Sequence, residues 1–536
     1  MDYSTGKLST IFIVAVLLAC AGAWVLAWRY RVAMRRLMSA PLALAGRAGP
    51  RLATPPRPAT PLPPPEPVTA ADNRRAGVRL SLLLIGLSCL MALSSATLQL
   101  AFALEDTPFA VKRVAVIALV HLWPVIPVLG LLWRWSRLRV LAVLLGWCVF
   151  CFFVMLWRSI EPRPTELLLF LLIEIGPTLV LVALLCMGNI TRAIAPWLLP
   201  VFIGLVWASM AGLDVLALLV ERRSPWLMAL LPALGARTVM LAFALLPWLL
   251  AAWPLWRLGR ALGLAYARKQ LSELMVLFTA VWAVSLLFQA LSAASRLGLG
   301  GAMMLLPLLW IPLVMAFARL STGGRPPTLL VLRVFQHDAQ VQALFDYVVE
   351  RWRLSGNTVL IAGTDLMVRT LDADDIFTFL DGGLAQRFIA RAADVPPRLA
   401  AFDLQPDVDG RYRVNECYCH DTTWQDALAA LVQSSDVVLM DLRSFQAHNA
   451  GCRYELNVLA RAAQLARVVV LTDGQTDLTV AAADTAGAPD GRFAWLNVAS
   501  GGARERKRVL QSLFVAGAAH ELGLSPKAAR AHDAGP

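Results

Sequence analysis

Three groups of residues have types and spacings that could do chemistry. The first is Glu455, in Gly451-Cys452-Arg453-Tyr454-Glu455-Leu456, shortly after a run, Asp436–Leu442, that reads as a buried strand. A carboxylate in the first turn of the helix after such a strand points back over the strand ends. There the positive end of the helix dipole favours its ionised form. Such a group can act as a general acid or base, although acidic residues also occupy first turns for dipole reasons alone. The second group is Cys417-Tyr418-Cys419-His420-Asp421, with Cys452 as a distant fourth ligand type. Zinc sites space their cysteines by two or more residues. Alternation along a strand puts Cys417 and Cys419 on one face, where they read as core, so no metal is expected. The third group is intramembrane: His121, Glu174, Asp214 and Gln289 stand inside long apolar runs. A polar group in hydrocarbon costs several kcal/mol and is a functional candidate by default. Glu174 lies beside Gly176-Pro177, a step that frees backbone groups, while His121 and Asp214 equally fit helix ends or mutual pairing. No G-x-x-x-x-G-K-[ST] run occurs, so an ATP-driven machine is not expected. Asp407-Val408-Asp409-Gly410 lacks later calcium ligands and reads as a hairpin turn.

The elements that must position these residues divide at Arg319. Before it, apolar runs of bilayer length dominate; after the hinge Ser321-Thr322-Gly323-Gly324-Arg325-Pro326-Pro327, short β-type runs alternate with amphipathic helices. Across 536 residues, 58% are apolar and 16% charged, against roughly a quarter charged in soluble domains. Mean hydropathy is +0.62, which excludes a wholly soluble protein. A spanning helix needs about 20 apolar residues. About nine candidates occur: Leu8–Trp28, Arg79–Phe102, Val114–Trp133, Val140–Trp157, Leu167–Met187, Ala195–Val220, Thr238–Trp256, Leu271–Leu291 and Leu299–Ala318. Pro225–Gly235 is too short to cross and reads as an interfacial piece.

The net charge of +13 sits largely in loops between these runs. It therefore sets orientation and meets anionic lipid rather than nucleic acid. One side carries more than twice as many basic residues as the other, including Arg29, Arg31, Arg35, Arg36, Arg134, Arg137 and Arg139. The positive-inside rule then places the N-terminus outside and the C-terminal domain in the cytoplasm, in a multi-pass inner (plasma) membrane protein whose first helix is retained. Cys20, Cys89, Cys148, Cys151 and Cys186 fall in apolar runs, and only Cys417, Cys419 and Cys452 fall in the soluble part. That is cysteine usage of a reducing compartment, not a disulfide scaffold. Pro50–Pro67 holds nine prolines and reads as a semi-rigid spacer. The expected divisions are a first helix at 1–28, a basic linker at 29–78, a bundle at 79–319, a hinge at 320–327, an α/β domain at 328–522 and a disordered tail at 523–536.

Within the C-terminal domain, strands are expected at Leu329–Phe335, Thr358–Ala362, Tyr412–Tyr418, Asp436–Leu442, Arg467–Thr472 and Arg492–Val498. Helices are expected at Val341–Arg353, Asp375–Arg391, Thr423–Gln433, Arg453–Leu465 and Glu505–His520. This alternation specifies a parallel sheet covered on both faces, expected as flavodoxin-like, with its ligand site at the carboxyl ends of the strands.

Trp424, Leu431 and Asp436-Val437-Val438-Leu439, followed by Gly451-Cys452-Arg453-Tyr454-Glu455-Leu456, resemble Toll/interleukin-1 receptor-like (TIR-like) domains. Those carry a Trp-bearing helix, a Ser-Asp-hydrophobic strand and a Trp-Cys-x-x-Glu-Leu helix start. The nucleoside deoxyribosyltransferase-like fold is similar. The resemblance covers about 50 residues and implies an enzyme acting at the ribose of a nucleoside or of NAD, a candidate substrate rather than a resident cofactor. Glu455 falls on the catalytic glutamate and would stabilise positive charge developing on the ribose, as glycosidase carboxylates do. Asp441 would be the second carboxylate in reach, and Arg443 would contact a phosphate. Phe335, ending the first strand, and Trp424 would contribute to the nucleotide site. Asp436 would be structural. Two departures are visible: Gln336-His337 follows Phe335 where the family has Ser-Tyr or Ser-His, and Ala450-Gly451 replaces the Ser-Trp before Cys452. The same fold serves as a non-catalytic, self-associating assembly module, and a transporter or channel with a regulatory domain is a further alternative.

Overall fold

The computed structural model describes residues 5–39, 65–103, 109–159, 163–186, 188–317, 324–332, 339–362, 372–420, 422–498 and 501–514. Two compact units emerge. The first comprises Met1–Tyr30, Ser81–Arg319 and Leu371–Phe377; the second comprises Arg31–Leu80, Leu320–Thr370 and Thr378–Pro536.

The first unit is helical. Its elements are drawn from α1 (Thr5–Ser39), α2 (Ala70–Leu98), α3 (Val111–His121), α4 (Val125–Leu132), α5 (Arg137–Arg158), α6 (Pro164–Cys186), α7 (Asn189–Glu221), α8 (Pro225–Leu234), α9 (Ala236–Leu245), α10 (Pro247–Ala267), α11 (Glu273–Leu297) and α12 (Trp310–Phe317). Among the described residues, six helices are long and apolar enough to cross a membrane, or seven if the bent pair α3–α4, broken by 44°, is one span. Of the nine runs expected, Leu167–Met187 corresponds to α6, a helix of 23 residues, and Leu299–Ala318 to a shorter apolar helix, Gly300–Ala316. A tight 3₁₀ stretch, Gly298–Leu309, interrupts the second of these. Apolar length alone does not reveal such breaks.

Lipid tails match apolar side chains, so helices in a bundle associate through close approach and hydrogen bonds. Both occur here. A Cβ on Gly212 of α7 would lie 1.9 Å from the Phe243 carbonyl oxygen of α9. Three indoles cross-link helices by donating to serines: Trp133 to Ser81 at 2.8 Å, Trp248 to Ser209 at 2.7 Å and Trp310 to Ser94 at 2.9 Å.

The second unit is a seven-stranded, wholly parallel sheet. Its strands are β1 (Thr328–Leu332), β2 (Asn357–Ala362), β3 (Phe388–Ile389), β4 (Val414–Cys419), β5 (Val437–Asp441), β6 (Arg467–Thr472) and β7 (Phe493–Asn497). Between and after them run α13 (Ala339–Trp352), α14 (Ala373–Leu380), α15 (Val395–Ala400), α16 (Trp424–Ser434), α17 (Ala450–Arg461), α18 (Leu478–Asp484) and α19 (Ala503–Ser512). Strand side chains alternate between two cores. Leu329, Val331, Val437, Leu439, Val469 and Leu471 pack under α13 and α19. Leu330, Leu332, Val438, Met440, Val468 and Val470 pack under α16, α17 and α18. Burial on both faces explains why these strands read as continuous apolar runs.

The strand order is β3-β4-β2-β1-β5-β6-β7. Leaving aside the two-residue edge strand β3, the six long strands run 3-2-1-4-5-6, not the 2-1-3-4-5 order of flavodoxin-like sheets expected from the sequence. Periodicity establishes that strands and helices alternate but carries no information on lateral order. The expected helix Asp375–Arg391 also fails. It stops at Leu380, where Gly382 (φ +72°) turns the chain toward β3.

Part of the expected linker belongs to this unit. The Glu66 N–H donates to the Arg325 carbonyl at 2.9 Å. Asn73 Nδ2 donates to the Arg351 carbonyl and to Ser355 Oγ, each at 2.7 Å. Val68 and Ala70 pack on the α13–α19 core. The Pro-rich spacer lies largely outside the described residues.

Candidate functional site

In a doubly wound sheet, ligands bind outside the carboxyl ends of the strands at the point where the winding reverses. Here that point is between the adjacent strands β1 and β5. From β1 the chain winds outward through β2 to β4, and from β5 the other way through β6 to β7. The segment after β1, including Phe335, lies outside the described residues.

β5 ends at Asp441, and the loop after it is tightly built. Arg443 donates to both Asp441 carboxylate oxygens, at 2.8 and 2.7 Å, and both side chains are buried. Sequence reasoning gave these two separate roles, carboxylate and phosphate contact. The structure brings them together on one another, as an internal clamp at the strand end. Ser444 adopts φ +59°, a costly conformation for a side-chain-bearing residue. Asp473, at the end of β6, supports it by accepting from the Ser444 N–H at 2.9 Å and from Ser444 Oγ at 3.2 Å. Burial pushes Asp473 up, but hydrogen bonds from Ser444, Thr476 and Gln475 hold its carboxyl below the ordinary value.

α17 begins at Ala450, so Glu455 stands in the second helical turn and not the first. The dipole falls off within the first turn, and the expectation that it keeps Glu455 ionised does not hold. Instead, burial pushes the Glu455 carboxyl up to about 7. It is partly buried, and among the described residues it makes no hydrogen bond or ion pair. Cys452, one turn earlier, is buried; burial and the charges of Glu455 and Asp441 push its thiol up to about 12, so it is no nucleophile at neutral pH.

Sequence reasoning missed Tyr454. Its ring meets Trp424, the first residue of α16, edge-to-face with centroids 5.5 Å apart. Trp424 opens α16, which follows β4, and Tyr454 stands in the second turn of α17, which follows β5, so the aromatic pair lies beside Glu455 on the connections leaving those two strands. Tyr454, inside α17, carries no sequence signal for this pairing; only the fold supplies it. Together the edge offers a proton-exchanging carboxyl and an aromatic surface on which a base could stack.

The other candidate groups separate. Cys417 and Cys419 face the α16–α17 core with Sγ atoms 3.8 Å apart. His420 lies against Phe388, centroids 5.9 Å apart. Asp407–Gly410 forms the expected turn, closed by Gly410 N–H to Asp407 carbonyl at 2.8 Å. Arg413 and Arg411 pair with Asp407 and Asp409 at 2.8 and 3.1 Å. In the bundle, Ser95 Oγ lies 3.3 Å from His121 Nδ1 and also donates to Gln289 Oε1, all three buried. This joins α2, α3 and α11; the Glu174 side chain is outside the described set. No group of three or more His, Cys, Asp or Glu side chains among the described residues could hold a metal ion.

No family model matches the chain, and no curated protein or solved structure matches it either.

Proposed function

We propose that this is a membrane-anchored protein whose C-terminal α/β domain binds an NAD-type nucleotide at the carboxyl edge of its sheet and cleaves it at the ribose. The observation that carries the reading is Glu455: a partly buried carboxyl without a described partner, raised to about 7, at the switch-point edge of a 3-2-1-4-5-6 parallel sheet. The six-strand order widens the TIR-like resemblance toward the doubly wound sheets that bind dinucleotides. In this reading Trp424 and Tyr454 hold a base, and Glu455 faces the ribose. Its carboxylate stabilises positive charge on the ribose as the C1′–N bond breaks and neutral nicotinamide leaves with the electron pair, and it then takes the proton from the water that bonds to C1′. Asp441 and Arg443 shape the loop and do not touch substrate. The domain lies in the cytoplasm, in accord with the excess of basic residues on that side and with eight free cysteines. Its role is signalling or effector action from the membrane.

The test is NAD⁺ consumption by the full chain in lipid nanodiscs, beside Glu455→Gln. Turnover by the wild type alone supports the reading; equal turnover by both overturns it. The second reading, a non-enzymatic assembly module, is favoured by the Asp441–Arg443 clamp, which removes the second carboxylate from chemistry. It expects no turnover, with self-association unchanged by Glu455→Gln.

A further inference from the structure

Cys417 and Cys419 stand two residues apart on one face of β4, and the proposed chemistry leaves them unused. Their Sγ atoms lie 3.8 Å apart. Both are buried, Cys417 completely and Cys419 at 8% exposure. Two observations set this pair apart from cysteines that only fill a core. The Arg398 guanidinium of α15 stands beside it, donating to the Glu416 carbonyl at 2.8 Å, and its positive charge acts on both sulfurs. The two thiols are also unequal. A hydrogen bond from Cys419, with help from the Arg398 charge, holds the Cys417 thiol below its ordinary value despite burial. Donation to Cys417 and burial push the Cys419 thiol up. The pair is thus set as an attacking sulfur beside a resolving one, the arrangement of thiols that respond to oxidants.

The strand gives the pair room to react. Residues two apart on a strand have Cα atoms about 6.6 Å apart, inside the roughly 4.4–6.8 Å that a disulfide accepts. Cys417 is held in the sheet, in register with Ile361 of β2. Cys419 is the last residue of β4, and among the described residues it is in register with Ile389 of β3 and not with β2. β3 is a two-residue strand at the sheet edge, and local opening there gives a small oxidant access to the end of β4. Beyond Cys419 the chain leads straight to the aromatic pair. The His420 carbonyl accepts from the Thr423 and Trp424 N–H groups at 3.0 and 3.2 Å, and Thr423 Oγ1 donates to the Ile389 carbonyl at 2.8 Å. Trp424 then opens α16 and meets Tyr454. All of these residues belong to the α/β unit.

We infer that Cys417 and Cys419 form a reversible oxidation site, closed to a disulfide by hydrogen peroxide, that controls how Trp424 is held. The thiol chemistry stands alone; its effect on turnover rests on the proposed nucleotide site. The Cys417 thiolate attacks one peroxide oxygen, the O–O bond breaks, and the departing hydroxide takes the Cys419 proton and leaves as water. The Cys419 thiolate then attacks the sulfenic sulfur of Cys417. An S–S bond forms, the S–O bond breaks, and the hydroxide released takes from solvent the proton that Cys417 shed on ionising. Two thiols lose two electrons and two protons, and the peroxide is reduced to two waters. Closing the 3.8 Å gap draws Cys419 toward Cys417 and pulls on the His420 turn that starts α16.

The experiment uses the full chain in nanodiscs, as wild type and Cys419→Ala, treated with hydrogen peroxide and read by differential alkylation and peptide mass spectrometry. Cys452, whose thiol burial pushes up to about 12, is the internal comparison. In the wild type, the peptide holding Cys417 and Cys419 is expected to lose two hydrogens about tenfold faster than Cys452 is oxidised. Dithiothreitol restores both thiols. In Cys419→Ala, dimedone is expected to trap a sulfenic acid on Cys417. Wild-type thiols that stay open to alkylation after peroxide, or oxidation of Cys452 at the same rate, overturn the site; this reading needs no variant, so poor folding of Cys419→Ala leaves it intact. Amide exchange and NAD⁺ turnover of the oxidised and reduced wild type read the consequence. Exchange about tenfold faster over the first turn of α16 and turnover about fivefold lower, both reversed by dithiothreitol, are expected. A disulfide that leaves α16 exchange unchanged overturns the control of Trp424. If the reduced wild type turns over no NAD⁺ yet the disulfide forms and α16 exchange rises, the nucleotide reading fails and the oxidation site stands.

Discussion

Replacing Glu455 with Gln tests the electrostatics of the site independently of catalysis. Burial lifts this carboxyl from 4.5 to about 7. At 1.36 kcal/mol per pKa unit, that is a penalty of about 3 kcal/mol on the ionised form, reduced to about 2 kcal/mol because the side chain is partly open to water. The sign follows from proton counting. Between pH about 4.5 and 7 the folded state binds more protons than the unfolded one, so stability falls as pH rises through that window and levels off above it. Glu455→Gln preserves shape and removes the charge. Its effect is therefore near zero at pH 5 and stabilising by about 2 kcal/mol at pH 8, a rise in unfolding midpoint of roughly 4–8 °C for a domain of this size. The assay is thermal unfolding of the full chain in nanodiscs, with pulse proteolysis reporting on the α/β domain, from pH 5 to 9. A variant that is destabilised at pH 8, or a difference that does not vary with pH, would refute the argument, because either shows that the ionised carboxylate is solvated or paired.

Four further outcomes follow from the geometry. Asp441→Asn takes the bidentate carboxylate from buried Arg443 and is expected to destabilise the domain by about 3 kcal/mol, measured by denaturant unfolding at constant pH. Gly212→Ala drives a Cβ into the Phe243 backbone and is expected to abolish recovery of monodisperse protein, read by size exclusion. Asp372→Asn probes a carboxyl that burial, with Asp375, Glu273 and Asp374 nearby, pushes well above the usual range. Its ionised form weakens the fold as pH rises, so the variant's stabilisation should grow from pH 5 to 8 in exchange measurements over α14. Ser95→Ala breaks the bridge between His121 and Gln289 and is expected to cost about 1 kcal/mol in detergent unfolding, a typical interhelical hydrogen bond.

What was legible in the sequence follows from what periodicity encodes. Asp436–Leu442 and Arg467–Thr472 declared themselves because strands buried on both faces must be continuously apolar, and both exist within a residue of expectation. The break after Arg319 was legible for the same reason on a larger scale. Lateral strand order was not, because no local pattern distinguishes a chain that steps outward to β4 from one that returns past β1. Glu455 was singled out by its motif, yet its physics was misjudged by three residues of helix start, which replaced dipole stabilisation with burial. Asp441 and Arg443 each carry an ordinary functional signature, and only geometry reveals that they face one another. Trp424 and Tyr454 lie thirty residues apart with nothing in the sequence to pair them.

The strand order also sets a timetable for biogenesis. β1 is the first strand to leave the ribosome after the bundle, and it lies at the centre of the finished sheet, with Leu330 beside Val438. That neighbour is made about a hundred residues later, which at 5–20 residues per second is roughly 5–20 s of synthesis. Throughout that interval Leu329–Leu332, all buried at the end, has only β2 to pair with. The nascent chain is thus most vulnerable to misassembly, and most dependent on chaperones, between the appearance of β1 and that of β5.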